Sequence, residues 1–239
     1  MDQQPFKRIS QGTLYWKTVR EFCGITASEV ADLFRMGYGS PYKRFTSKIG
    51  DPDNDQELFV ERHNNALLHG HFYEAEARII LENIIGQRIQ QLGIFLHPEH
   101  GFDVAGSPDG YIEESKTLVE IKCPYFILGE DTERKPHQDI KLGYLIQMIV
   151  LMEVMECKDA LFMSYAVNYP GGNNSWKIFK IQRQHEIWKK FLEPEILNFL
   201  NHVKSYYENP SVGRYKGAST EKATQLMLAL QSINKIKIY

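Results

Sequence analysis

The sequence predicts an α/β fold in which a central mixed β-sheet is flanked by helices and preceded by a helical N-terminal region. Two observations support this prediction. Apolar residues recur at helical spacing in much of segment 1–90, and strand-like segments separated by turns follow in segment 91–208, where helical patterns interrupt them. The 239 residues fit a single domain, in which 209–239 forms a C-terminal tail.

The N-terminal region is predicted to contain three helices. Residues 13–22 carry apolar and aromatic residues at roughly helical spacing. Thr26 and Glu29 have the spacing of a capping box, which predicts a helix through about Met36. A long helical pattern runs from about Glu57 to Ile85.

The sheet region alternates short apolar runs with turn residues. Predicted strands occupy 92–97, 102–105, 110–113, 117–123, 158–167 and 176–182. An apolar helix is predicted at 138–155 and a last long helix at 183–207, which Pro194 should bend or break. Residues 220–231 could add a short amphipathic helix to the polar tail.

Composition limits the classes of protein. Hydrophobic residues make up 43% of the chain, which is enough for a sizeable core. The formal net charge of −2 does not indicate nucleic-acid binding, although only a binding groove needs to be basic. Three cysteines without a Cys-x-x-Cys pair predict neither a disulfide framework nor a zinc or iron–sulfur site. The histidines between 63 and 100 match no zinc-binding pattern and are expected at the surface.

Segments that could enter or cross a membrane are not expected. Residues 1–20 are polar and charged without an apolar run, so they do not resemble a signal peptide. The apolar run 144–155 is too short to span a bilayer and ends in charged residues. An intracellular, non-secreted protein is the expectation.

The most informative stretch is 107–122, which combines a turn with a charged strand. Asp109 lies in the turn Ser107–Gly110, and Glu120 and Lys122 follow on a predicted strand. Residues i and i+2 of a strand point to the same face, so Glu120 and Lys122 should project together. If the segment between folds back as a hairpin, Asp109 joins them. Two carboxylates and an ammonium group make a site for a hard divalent cation and a water, the arrangement of PD-(D/E)XK nucleases.

Each half of this motif also has an ordinary interpretation. Pro-Asp-Gly is a common turn sequence, and Glu-x-Lys on a strand is usually a weak surface pair. Their order and hairpin spacing favour the site over either interpretation alone.

Four further residues could join this site. Glu74 could aim a carboxylate from the long helix, although pairing with Arg78 explains it equally well. Gln147 is an amide in an apolar helix, where it either satisfies the core or faces the site. Ser28 and Thr26 lie at a predicted helix start, which favours anions such as phosphate. Capping alone explains Thr26, whereas a phosphate-binding role stays open for Ser28.

Several segments, in order, resemble the phage-lambda-type alkaline exonucleases, the viral recombinase exonuclease branch of the PD-(D/E)XK superfamily. The resemblance covers roughly residues 13 to 155. The matching segments are 25–30, Gly70 with Tyr73, Glu74, Ala77 and Arg78, then 107–110, 120–124, and Tyr144 with Gln147. The Ile25–Glu29 and Glu120–Pro124 segments are far more specific than the superfamily motif alone.

The resemblance implies a restriction-endonuclease-like core and a role for each position. Asp109, Glu120, the Ile121 carbonyl and Glu74 are expected to hold Mg²⁺ or Mn²⁺. Lys122 would orient or deprotonate the attacking water, and Gln147 would brace the site.

The resemblance also implies a pocket for a terminal 5′-phosphate that includes Ser28 and Thr26. Relatives carry an arginine before this segment. Straight counting aligns Glu21 with it, whereas a slip of one residue aligns Arg20.

The expected activity is a metal-dependent 5′→3′ exonuclease on linear double-stranded DNA that yields 5′-phosphate products in recombination or viral DNA processing. A homotrimer and a single-strand annealing protein as partner are further implications of the resemblance. An endonuclease of the same superfamily and a catalytically inactive nucleic-acid-binding module stay open as alternatives.

Overall fold

A computed structural model describes residues 4–50, 60–125, 134–168 and 173–239, with side chains of the long helix described from residue 65 onward. The helices are α1 Leu14–Phe22, α2 Val30–Leu33, α3 Pro41–Ile49, α4 Val60–Ile85, α5 Leu142–Val154, α6 His185–Ile187, α7 Glu193–Glu208 and α8 Thr220–Gln231. The strands are β1 Ile25–Thr26, β2 Phe95–His97, β3 Gly101–Gly106, β4 Gly110–Ile112, β5 Thr117–Lys122, β6 Asp159–Ala166, β7 Ser175–Gln182 and β8 Ile236–Lys237.

The strands form two sheets, and both are mixed. The larger sheet has the order β4-β5-β6-β7-β8, with β5 and β6 parallel and the other neighbours antiparallel. The smaller sheet has the order β1-β3-β2, with β1 parallel to β3. The predicted mixed sheet with flanking helices is therefore confirmed.

The central strands of the larger sheet are buried on both faces because an apolar layer covers each face. On one face, Leu118 and Phe162 pack in the same cluster as the buried side of α5. On the other face, Val119 and Ile121 pack with Ala77 and Leu81 of α4. Successive residues of β5 thus enter opposite layers, as strand geometry requires.

The region between residues 25 and 50 differs from the prediction. Residues 25–26 form strand β1, and α2 ends at Leu33 rather than near Met36. The Glu29 carboxylate accepts the Thr26 N–H at 2.8 Å, as in a capping box, but the Thr26 hydroxyl donates to the same carboxylate. A further helix, α3, was not predicted. It begins after Ser40, whose hydroxyl accepts the Lys43 N–H.

Other boundaries agree with the prediction to within a few residues. The predicted first residue of the long helix, Glu57, lies outside the described residues. Between α6 and α7 the chain forms a π-helical turn at Trp188–Leu192, directly before Pro194. The 209–239 segment contributes structure to the domain, because α8 buries Leu226 and Leu230 and β8 pairs with β7. Within the described part of the chain, every helix is too short or too polar to cross a membrane.

His97 lies in the interior, which corrects the expectation that the histidines of this region are at the surface. Its ring stacks on Trp188 with the centroids 5.2 Å apart, and its Nδ1 accepts the Glu99 N–H. An acceptor Nδ1 belongs to a neutral imidazole. Burial, together with the neighbouring His100, lowers the pKa of His97 to about 4.

The stability of the fold should therefore fall with acid through His97. The unfolded chain takes up this proton below a pH of about 6.5, whereas the folded chain resists it down to about 4. The amide oxygen of His97→Asn can accept the same N–H without titrating. Between pH 7 and pH 5 we expect the free energy of unfolding to fall by about 2 kcal/mol more in the wild type than in this variant. Urea unfolding at both pH values measures this difference. The exposed His71 provides the control His71→Asn, and equal acid sensitivity of all three proteins would contradict the assignment.

Candidate active site

The short length of β4 places Asp109 against β5. Strand β4 pairs Gly110 with Val119 and does not continue toward the end of β5. At the next rung, Oδ2 of Asp109 accepts the Ile121 N–H at 2.7 Å. The carboxylate of the turn thus takes the place of a strand partner, directly beside Glu120 and Lys122.

Glu120 and Lys122 project to the same side of β5, as their spacing predicts. The Lys122 ammonium donates to Oε1 of Glu120 and lies 3.8 Å from Oδ2 of Asp109. Glu120 is 0% exposed, and its Oε2 has no hydrogen-bond partner among the described residues. A buried carboxylate oxygen without a partner is costly, and it is available to a ligand.

The electrostatics of this group favour an added cation. Burial raises the pKa of Glu120, and the neighbouring Asp109 carboxylate raises it further against the opposing effect of Lys122. Burial alone would lower the pKa of Lys122, but Glu120 and Asp109 raise it, so the ammonium stays protonated at neutral pH. The single ammonium leaves excess negative charge that a divalent ion would neutralise.

Helix α4 brings a third carboxylate to this place. Glu74 pairs with Arg78 at 3.3 Å one helical turn away, as the ordinary interpretation of the sequence predicts. Burial first and the Asp109 carboxylate second raise the pKa of Glu74 to about 7. Glu74 therefore forms the helix pair and is also an electrostatic neighbour of the Asp109 turn.

The oxygen atoms gathered here fit a hard divalent cation. The N–H and C=O of one strand residue point to the same side, so the Ile121 carbonyl faces the side on which Asp109 receives the Ile121 N–H. Two carboxylates and a carbonyl oxygen, with Glu74 nearby, form the donor set that Mg²⁺ prefers. The free Oε2 of Glu120 supports the same fit.

Helix α5 presents Tyr144 and Gln147 on one face, three residues apart. The Tyr144 ring centroid lies 5.3 Å from the Lys122 ammonium. The half-buried Gln147 side chain has no hydrogen-bond partner within the described ranges of the chain. Gln147 therefore shares a helix face with Tyr144, whose ring lies beside the Lys122 ammonium.

A second polar site lies between α1 and β1. The Arg20 guanidinium donates to the hydroxyls of Thr26 and Ser28, each at 3.2 Å. Of the two alternatives left by the sequence, the structure therefore brings Arg20 to this pair. The surface cavity here has a volume of about 300 Å³ and is lined by Trp16, Lys17, Arg20, Glu21, Thr26, Glu29, Ser47 and Lys48.

Trp16 connects this cavity to the Asp109 turn, a link that the sequence analysis missed. Its ring faces the Arg20 guanidinium at 4.6 Å, and its Nε1 donates to the Ser107 hydroxyl at 2.9 Å. Gln11 holds the same turn through the Pro108 carbonyl at 2.6 Å. The spacing of Trp16 and Arg20, one turn apart on α1, was the available signal.

A separate cluster of potential metal ligands consists of two glutamates and a histidine outside the residues described above. The potential ligand atoms of Glu99, His100 and Glu193 fall within 4.8 Å of one another. Lys189 already pairs with Glu193 at 2.9 Å, and His100 bonds the same carboxylate. These internal contacts account for the cluster.

The chain matches a protein-family model over much of its length. The model of the YqaJ-like viral recombinase domain matches residues 15–159, more than half of the chain. The matched span contains the Asp109 turn, β5, Glu74, Gln147 and the Arg20 cavity. No curated protein matches the chain in sequence.

Solved structures show the same fold. An alkaline exonuclease (LHK-Exo) from Laribacter hongkongensis matches with a TM-score of 0.63 at 22% identity, over 90% of this chain and 100% of that one. The same protein in complex with dAMP matches with a TM-score of 0.62 at 21% identity, over 84% and 100%. A phage-related exonuclease from Haemophilus somnus 129PT matches with a TM-score of 0.52 at 13% identity, over 78% and 94%. At these identities the likeness establishes the fold.

Proposed function

The chain belongs to the YqaJ-like viral recombinase family, and on this premise we propose that it is a metal-dependent nuclease that degrades linear double-stranded DNA from the 5′ end. The observation that carries the proposal is the direct connection between two sites. The Arg20 cavity suits a terminal phosphate, and Trp16 joins it by a hydrogen bond to the turn that bears Asp109. An enzyme that acts from an end needs both features side by side.

The metal site of the proposal consists of Asp109, Glu120 and the Ile121 carbonyl, with Glu74 as the ligand of a second ion or of its waters. A Mg²⁺ or Mn²⁺ ion bound there would neutralise the scissile phosphate and lower the pKa of a bound water. Asp109 is held for this task by the Ile121 N–H, and Glu120 by the Lys122 ammonium. Both carboxylates therefore keep their places without rearrangement of the sheet.

Lys122 acts in the proposal as a fixed cation. Because the adjacent carboxylates hold it protonated, it can donate a hydrogen bond to the attacking water or to a phosphate oxygen. This favours orientation of the water over its deprotonation by Lys122. Gln147 can brace the same group through its free amide. In-line attack with departure of the 3′-oxygen leaves a 5′-phosphate on the product.

Arg20 provides the selectivity for an end. A guanidinium that already donates to two hydroxyls can add charge-assisted bonds to a terminal phosphate, and the Ser28 hydroxyl can donate to the same group. Lys17 and Lys48 line the same cavity, so with Arg20 its cations outnumber the two acidic residues of the lining, Glu21 and Glu29. The family resemblance extends the proposal to a homotrimer and to a single-strand annealing protein as partner.

Substitution of Lys122 tests the chemical step. We expect Lys122→Ala to reduce cleavage of a linear, 5′-phosphorylated duplex in Mg²⁺ by about a hundredfold or more while it preserves the fold, because the oriented donor is lost. The matched control is Lys180→Ala, another strand lysine bonded to an aspartate, Asp159 at 2.7 Å. Gel assays would compare the linear duplex with a covalently closed circle. Cutting of the circle by the wild type would favour an endonuclease, and unchanged turnover by Lys122→Ala would contradict the site.

Substitution of Arg20 tests end recognition. Arg20→Lys keeps the charge but loses the planar set of donors. We expect the preference for 5′-phosphate over 5′-hydroxyl ends, measured as a ratio of kcat/KM values, to fall by about tenfold. Arg214→Lys, an exposed arginine stacked on Tyr42, is the control. An unchanged ratio in Arg20→Lys would show that the cavity does not recognise the end.

A further inference from the structure

An exposed tyrosine stands beside the candidate active site in a loop built to hold it. Tyr38 is 79% exposed and lies between Gly37 and Gly39, in the connection from α2 to α3. Large aromatic side chains at this exposure are common singly and need no explanation by themselves. The contacts of this loop distinguish Tyr38 from other exposed aromatics.

The buried Asp32 carboxylate contacts the backbone of this loop. Asp32 is 1% exposed, and its Oδ1 accepts the Gly39 N–H at 2.8 Å. Its Oδ2 accepts from Nε of Arg44 at 2.5 Å. A Cβ atom at Gly37 or Gly39 would overlap the Asp32 carboxylate, so the loop passes as close to this group as glycine permits. Gly39, on one side of Tyr38, is therefore hydrogen-bonded to a buried carboxylate, and Gly37, on the other side, packs closely against it.

The Tyr38 side chain contacts Tyr144, the aromatic residue that lies beside Lys122. The two hydroxyl oxygens lie 2.6 Å apart. Tyr144 is itself fixed, since its ring stacks on Phe162 at 5.8 Å and faces the Lys122 ammonium. The Lys141 ammonium at the start of α5 lies 6.0 Å from the Tyr38 ring and 5.9 Å from the Tyr144 ring.

We propose that Tyr38, Tyr144 and Lys141 form a nucleotide-binding subsite next to the candidate active site, in which the Tyr38 ring stacks on a base of the strand being cut. An exposed ring offers its face to a base, and base–aromatic stacking tolerates any sequence. Lys141 supplies the positive charge for an adjacent backbone phosphate. The inference rests on the proposed nuclease function and assigns a contact with the substrate strand beyond the terminal phosphate.

A purely structural role for Tyr38 makes a different prediction. If Tyr38 only positioned Tyr144, its hydroxyl would be the essential group and its ring would be dispensable. Tyr38→Phe removes the hydroxyl and keeps the ring, whereas Tyr38→Ala removes both. The two variants therefore separate stacking from support.

The test measures binding and cleavage separately. Binding of a fluorescently labelled, 5′-phosphorylated duplex is followed by anisotropy in the Lys122→Ala background, and thermal melting checks the fold of each variant. We expect Tyr38→Ala to weaken binding by about tenfold and Tyr38→Phe to change it by less than about twofold. Tyr239→Ala, an exposed tyrosine near the C-terminus, is the control and should bind like its parent.

Single abasic sites at successive positions of the cut strand locate the stacked base. We expect one position at which the abasic site weakens binding by the parent protein as much as Tyr38→Ala weakens binding of the intact duplex. At that position the abasic site should not weaken binding by Tyr38→Ala any further. Unchanged binding by Tyr38→Ala, equal losses in Tyr38→Phe and Tyr38→Ala, or no such abasic position would overturn the subsite. Cleavage of the same duplex by the otherwise wild-type protein is scored independently, so binding without cutting would contradict the nuclease and leave the subsite supported.

Discussion

The hydrogen bond from the Ile121 N–H to the Asp109 carboxylate is the contact on which the rest of the site depends. It exists because β4 begins only at Gly110, which leaves the end of β5 without a β4 partner on that side. A longer β4 would satisfy the backbone and exclude the carboxylate. The Ile121 carbonyl faces the same side by strand geometry, and it too has no partner in β4. The arrangement of the candidate active site therefore follows from the missing backbone pairing between β4 and Ile121 of β5.

The fixed position of Asp109 brings its carboxylate close to that of Glu120, and the Lys122 ammonium offsets part of this negative charge. The ammonium contacts both carboxylates, yet one buried oxygen of Glu120 keeps no partner in the part of the chain that the structure describes. Crowded, incompletely paired carboxylates of this kind are expected at a site that binds a cation. The turn is also held from the other side by Trp16 and Gln11. A change in the Arg20 cavity can thus reach Asp109 through one aromatic side chain.

Much of this site follows from local rules in the sequence. Strand periodicity places Glu120 and Lys122 together, and hairpin spacing returns Asp109 to them. The contacts made by Trp16 and Tyr38 could not be predicted in this way, because each joins elements about 90 or more positions apart. The end of α2 differs for a related reason: Arg35 adopts a left-handed φ of 59°, which ends the helix before Met36, and its guanidinium donates to the Ala218 carbonyl 183 positions away.

The central claim is that the carboxylates beside β5 hold a divalent metal ion. Anomalous diffraction from crystals grown with Mn²⁺ tests it most directly, because the signal locates the ion without reference to activity. The account predicts a peak among Asp109, Glu120 and the Ile121 carbonyl, and its loss in Asp109→Asn. A peak only at Glu99, His100 and Glu193, or no peak at saturating Mn²⁺, would contradict the account.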